Sequence, residues 1–370
     1  MKIKMAMLLI LILASFYPLK FCNAQINERR AIWYHTMDRL PNNYTLASIK
    51  IFNDFKLYSD PKYKIYDVFV LTSSMELVIY NTNISDLSRY FDFDALGLIC
   101  QIAQQFNISI HAWLDLQTNK TEWKTKDINN NTSPLGNFAI PEYRQLILNM
   151  VKEIIENYPV KGIQLDYIRY DGKNFSYDDY SITTFQSLYG FDPRTNPDNP
   201  LWKEWRKQQI TTMVNETYIL VKAHNLTLEL SCDVFPKNSE DVYQDWIYWS
   251  QIPIVDFLCP MSYETDKDSF KSDAEYISKN ADPRTPILMG IGIWQINGEL
   301  ALEQIGIARE YKFGFSFFRD DFLTRIPEIP DPSTPSPTSS PTYWYNDPKM
   351  FGTIIILVVI GIVVLKEMAK

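Results

Sequence analysis

Eight short, β-rich apolar runs punctuate the middle of this chain, and longer stretches with helical periodicity separate them. The runs are AIWYHT from Ala31, YDVFVLTS from Tyr66, ISIHAWLDL from Ile108, GIQLDYIRY from Gly162, LTLELSCDVF from Leu226, VDFLCPMSY from Val255, PILMGIGIW from Pro286 and GFSFFRD from Gly314. Helices are expected over 46–55, 93–106, 143–157, 201–223, 242–250, 270–279 and 298–311. Within the third, Leu146, Ile147, Met150, Ile154 and Ile155 recur at helical spacing, while Lys152, Glu153 and Glu156 fall on the other face. A run apolar on both faces belongs to a parallel strand covered by helices, and eight strand–helix units close on themselves. The expected fold is therefore α/β, a (β/α)8 TIM barrel. After the eighth run the chain passes straight into a proline-rich segment, so the last helix should be reduced.

That architecture says where chemistry belongs, because barrel sites form at the C-terminal ends of the strands. Each run ends in polar or aromatic groups: His35 and Asp38; Ser73 and Glu76; His111, Trp113 and Asp115; Asp166, Arg169 and Asp171; Asp233; Tyr263 and Glu264; Trp294; Arg319, Asp320 and Asp321. A buried strand carries an acid at its tip at a cost of several kcal/mol unless the charge is paired or used. Any one of these acids can serve as a helix cap or an arginine partner. A whole ring of them points to a site.

The two ends of the chain set its surroundings. A basic start, an apolar run from Met5 to Phe16 and small residues around Cys22 and Ala24 read as a secretory signal peptide over 1–24. Residues 326–345 are rich in proline, serine and threonine, the composition of an extended stalk. Residues 351–365 hold no charge and are bracketed by Lys349 and Lys366, so 349–366 reads as a single transmembrane helix with 367–370 inside. The barrel, 25–325, would then sit at the cell surface, held to the membrane by its C-terminal helix. Nine Asn-x-Ser/Thr sequons, at Asn43, Asn83, Asn107, Asn119, Asn130, Asn131, Asn174, Asn215 and Asn225, fit an extracellular glycoprotein. A net charge of −8 gives no footing for nucleic acid. Only three histidines are present, none at ligand spacing with another, and no glycine-rich phosphate loop appears, so neither metal nor nucleotide cofactor is expected. Cys100, Cys232 and Cys259 remain after signal removal, and Cys232–Cys259 is the pairing to examine.

Three segments together resemble a known group. GIQLDYIRYDG (Gly162 to Gly172), HAWLDL (His111 to Leu116) and RAIWYHT (Arg30 to Thr36) are similar to glycosyl-hydrolase-like family 10 proteins, with Asp115 where that family usually has Asn. The resemblance implies a (β/α)8 barrel of the glycoside-hydrolase type. MSYE, from Met261, resembles the sixth-strand element of chitinase-like family 18 barrels. Their fourth-strand acids, however, fall here on Gln164, Asp166 and Ile168, so that family's general acid is absent. Amylase-like barrels place Arg-x-Asp on the fourth strand; here Gln164 replaces the Arg and Asp166 keeps the nucleophile's place.

Glycoside hydrolysis needs one ionised and one protonated carboxyl group. Asp166 is the candidate for the ionised role, and its partner should be Glu264, which burial beside Tyr263 would raise, or Asp233. Tyr34, His111, Trp113, Asp115, Tyr167, Arg169, Tyr263, Trp294 and Asp320 are the expected substrate-binding groups, the aromatics as walls for sugar rings. The function so reached is a cell-surface glycoside hydrolase acting on poly- or oligosaccharide. The alternatives are a barrel that binds glycan without cutting it, or a structural envelope glycoprotein. Protease added to intact cells is expected to cut within 330–342 and release the barrel; protection until lysis would reverse this topology.

Overall fold

The computed structural model describes residues 28–332. Eight parallel strands form the expected barrel: β1 Arg30–Tyr34, β2 Asp67–Ser74, β3 Ser109–Asp115, β4 Gly162–Asp166, β5 Glu229–Val234, β6 Phe257–Pro260, β7 Leu288–Gly292 and β8 Gly314–Phe318. Hydrogen bonding runs in the order β6-β5-β4-β3-β2-β1-β8-β7. A parallel bridge between Leu258 and Ile287 joins the two outer strands and closes the ring. The strands are buried on both sides, because helices cover the outer face and the barrel fills its own interior.

The covering helices are α1 Tyr44–Tyr58, α2 Ala95–Gln105, α3 Pro141–Asn157, α4 Asp179–Tyr189, α5 Pro200–His224, α6 Trp246–Gln251, α7 Lys267–Asn280 and α8 Gly298–Glu310. Side chains of Asn43, Asp94, Asp178, Asn199, Asp266 and Asn297 cap six of them by accepting a hydrogen bond from a first-turn amide. Among the described residues after β8 there is only a 3-10 turn, Asp320–Arg325, in line with the missing final periodicity. Helix α4 goes unread in the sequence because its buried stripe is only Ser181, Ile182 and Phe185. A hairpin of Lys124–Lys126 with Thr132–Gly136 is also inserted between β3 and α3.

Two-residue alternation sorts the strand side chains into two cores. Trp33, Phe69, Trp113, Phe257, Cys259 and Leu288 fill the barrel interior. Their sequence neighbours Tyr34, Val68, Val70 and Leu114 pack outward against the helices. The same alternation excludes the expected cysteine pair. Register sets Leu258 opposite Cys232, so Cys259, one residue on, points to the other face; both thiols are free.

At the N-terminal end of the barrel Arg29 donates to Asp67 at 3.0 Å and to Glu229 at 2.7 Å, and His111 Nε2 lies 3.1 Å from Asp67. Burial alone would raise Asp67, but His111 and Arg29 overcome it and hold its carboxyl down at about 2. His111 is therefore part of a plug at the bottom of the barrel, not a substrate-binding group. It lies early in its strand, whereas the mouth begins at the strand's end.

The barrel also runs further than 325. Ile326 and Ile329 are buried, and the Ile329 amide donates to Lys62 O, so the first residues of the expected stalk are packed structure. Among the described residues no helix is long and apolar enough to cross a membrane. The signal peptide, the rest of the stalk and the membrane helix at 349–366 lie outside the described residues.

Gly162 shows how tightly β4 is held. A Cβ there would meet Glu229 O at 2.4 Å and His111 Nδ1 at 2.7 Å. Gly162→Ala should destabilise the fold by about 1–3 kcal/mol, the usual cost of overpacking; an unchanged denaturation midpoint would contradict this packing.

Candidate active site

The C-terminal mouth holds a cavity of about 380 Å³ whose lining includes Trp33, Trp113, Asp115, Asp166, Asp233 and Tyr263. That size falls within the range of small-molecule sites, roughly 300–1,000 Å³. Asp115 ends β3 and pairs in register with Asp166, the end of β4. The β4–β5 register runs to Leu165 opposite Cys232, so Asp233 follows abreast of Asp166. Neighbouring strands are about 4.8 Å apart. Three inward-facing aspartates thus stand side by side in one layer.

Three carboxylates that close in a dry pocket cannot all ionise. Asp115 is pushed up to about 7, first by burial and then by the charge of Asp166; Ser74 Oγ, donating at 2.7 Å, opposes part of this. Asp233 is raised well above the carboxylate range by burial, with the charge of Asp166 adding to it. Burial raises Asp166 as well, but it accepts from the Tyr167 amide at 2.7 Å and Trp113 Nε1 at 3.1 Å, and Arg169 adds a nearby positive charge. All three carboxyl groups are raised, and Asp166 is the one whose rise is opposed by an amide, an indole and a nearby guanidinium.

The groups around this layer are fixed by one another. Trp33 Nε1 donates to Gln164 Oε1 at 2.9 Å, which orients the amide so that Gln164 Nε2 donates to Asp233 at 2.9 Å. Gln164 is thus a neutral relay between Trp33 and Asp233. Strand β4 ends abruptly because Tyr167 sits in the left-handed region at φ 55°. This strained position, worth about 1–3 kcal/mol, turns Arg169 back over the mouth. Arg169 lies 4.9 Å from the Tyr167 ring centroid and 4.7 Å from that of Phe235, and among the described residues it forms no ion pair with Asp166.

The cavity brings together Trp113, Asp115, Asp166, Tyr167, Arg169, Asp233 and Tyr263. Four other expected residues lie elsewhere. Tyr34 faces the helices, donating to Asp54 at 2.9 Å, because the inward phase of β1 belongs to Trp33. Asp320 is a buried anchor that accepts from Tyr58 at 3.0 Å and pairs with Arg39. Glu264 is absent from the cavity lining; burial and the charges of Asp273 and Asp266 raise its carboxyl, away from Asp166. Trp294 stands one ring behind the wall, 5.1 Å from Tyr263 and 5.2 Å from Phe318. The sequence reading named no site role for Trp33, His35, Leu71, Phe235, Met261 and Phe318, which also line the cavity. His35, wedged edge-on against Trp113 and Phe318, is pushed down to about 4 by burial and by Arg319, and is neutral at physiological pH. Among the described residues no group of three or more His, Cys, Asp or Glu is placed to hold a metal ion.

Comparison with known proteins bears on this site directly, since the matched region contains β4 to β7. Residues 133–304 match the glycosyl hydrolase-like 10 family. The likeness carried by GIQLDYIRYDG therefore holds, and the glycosyl hydrolase-like 10 segment supplies Asp166, Arg169, Asp233 and Tyr263. A relative, glycosyl hydrolase YngK of Bacillus subtilis, is 20% identical over 204 residues, 46% of this chain and 39% of that protein. The chain thus spans well under half of that relative. Among solved structures, the PgaB (BpsB) glycoside hydrolase domain of Bordetella bronchiseptica superposes with TM-score 0.66 at 11% identity, over 82% of this chain and 97% of that one. An α-L-fucosidase isoenzyme of Paenibacillus thiaminolyticus gives TM-score 0.60 at 13% identity, over 78% and 45% of the two chains. At such identities these likenesses speak for the fold.

The raised acids have a measurable consequence. Between pH 4 and 7 the folded protein keeps a proton on Asp115 that the unfolded chain, near its ordinary value of 3.8, has lost. Stability from this group is therefore full at low pH and falls as pH rises to about 7, by at most about 1.4 kcal/mol per pH unit. Asp115→Asn should flatten that fall in urea titrations run across the range; an identical slope in the variant would refute the assignment.

Proposed function

We propose that this protein is a glycoside hydrolase in which Asp166 is the ionised carboxylate and Asp115 the proton donor. The observation that carries the reading is their register pairing at the mouth of a glycosyl hydrolase-like 10 barrel, with Asp115 raised to about 7. Asp115 then holds a proton near neutral pH and can deliver it to a leaving oxygen, while Asp166 faces the oxocarbenium-like centre. Asp233, tied to Gln164, shapes the floor and remains neutral beside Asp166. Trp33, Trp113 and Tyr263 offer apolar faces to the sugar rings. A strand spacing of about 4.8 Å is nearer the separation of about 5–5.5 Å used for retention than the wider gap used for inversion, which favours a covalent intermediate on Asp166.

The proposed setting is the outer cell surface, with the barrel secreted and tethered by the segment at 349–366. This rests on the sequence of the chain ends alone. Glycan binding without turnover, or a structural envelope role, would leave the three aspartates without catalytic use.

Full-length protein offered a panel of oligosaccharides should release reducing ends in a reaction whose rate falls above about pH 7 as Asp115 deprotonates. Asp115→Asn should lower kcat roughly 10²–10⁴-fold, and Asp166→Asn should abolish turnover while leaving the fold intact. Glycan binding with equal, negligible turnover in the native protein and both variants would replace the hydrolase reading with the binding one.

A further inference from the structure

Arg169 is held differently from the other cavity-side and buried arginines. Arg29 is committed to Asp67 and Glu229, Arg39 to Asp320, and Arg206 to the carbonyls of Trp202, Lys173 and Phe175. Arg169 has no side-chain hydrogen bond or ion pair among the described residues, and its Nε is buried without an acceptor. What holds it is a pair of aromatic faces, Tyr167 and Phe235, at 4.9 and 4.7 Å. The left-handed turn at Tyr167, closed by the Arg169 amide donating to Tyr167 O at 2.7 Å, sets that position. A guanidinium seated on rings loses water without using its donors, and its planar fork matches planar or tetrahedral oxyanions. It opens on the same cavity as Asp115 and Asp166.

We propose that Arg169 receives an anionic substituent of the substrate, so that the glycan cut here carries a carboxylate or sulfate on a sugar at or next to the scissile bond. The inference rests on the glycosidase reading and deepens it. The neighbouring carboxyl groups do not satisfy Arg169, because none of them lies within ion-pair distance of it among the described residues. A substrate oxyanion can therefore take this cation without displacing a protein partner. A uronic acid and a sulfate ester supply the same chemistry, and both appear in the test.

The full-length Asp166→Asn protein, which should bind without turnover, is titrated by its tryptophan fluorescence. The probes are trisaccharides of glucuronic, galacturonic, mannuronic and guluronic acid, each beside its carboxyl-reduced neutral form, and sulfated galactan trisaccharide beside its desulfated form. At least one anionic probe should bind roughly tenfold or more tightly than its neutral partner, the worth of a charge-assisted hydrogen-bond pair. Arg169→Gln should erase that preference, so that anionic and neutral probes bind alike. Arg169→Lys, which keeps the charge but lacks the fork, should lose most of it. The proposal is overturned if no anionic probe outbinds its neutral form, including the case in which none binds, or if the preference survives Arg169→Gln. Turnover of neutral glycans by the native protein without any anionic preference would sink this inference while sparing the glycosidase reading. An Arg169-dependent preference in a native protein that turns over no glycan would do the reverse.

Discussion

Closure of the parallel sheet is the constraint from which the rest follows. Once β6 meets β7 through the bridge at Leu258 and Ile287, the barrel is nearly closed, and each strand residue lies in one of two environments: the narrow interior or the layer beneath the helices. The interior is filled by rings, with Trp33, Phe69, Trp113 and Phe257 packed along it. Groups that cannot be buried neutral among rings are driven to the two ends. The bottom gathers Arg29, Asp67, His111 and Glu229, whose charges cancel by direct pairing. The top gathers Asp115, Asp166 and Asp233, whose charges cannot cancel, because all three have the same sign.

That difference separates a structural cluster from a chemical one. At the bottom, His111 and Arg29 pull the Asp67 carboxyl down to about 2 against its burial. At the top, burial and then the charge of Asp166 push Asp115 up to about 7. Both clusters are buried and both draw on aspartates at strand ends. What distinguishes them is whether a cation lies within bonding distance. Arg29 does so for Asp67, whereas Arg169 is kept on the faces of Tyr167 and Phe235 and acts on Asp166 only through space. The strain at Tyr167 and the unpaired Arg169 belong to the same turn, and both are costs that packing alone does not explain.

The sequence by itself determined the eight strands, the helices between most of them and the end of the barrel at which polar and acidic groups gather, because these depend on local periodicity and on polar residues at run ends. It also put Asp166 at the tip of the fourth strand, the end from which a parallel barrel presents its groups. The second half of GIQLDYIRY was not legible as a turn, because the left-handed conformation of Tyr167 is imposed by its surroundings and not by a glycine. Only the tertiary structure decided which alternate residue of each strand points inward. Tyr34 and Trp33 are equally aromatic, and closure of the barrel assigns the cavity to Trp33 and the α1 layer to Tyr34. It also decided which residues stand beside Asp166. Asp115 and Asp166 lie 51 residues apart in the chain, and only the β3–β4 register brings them abreast, while Glu264, just past the end of its strand, turns towards Asp273. Periodicity fixes what a segment can bury; register and closure, which are long-range hydrogen-bonding properties, fix what it faces.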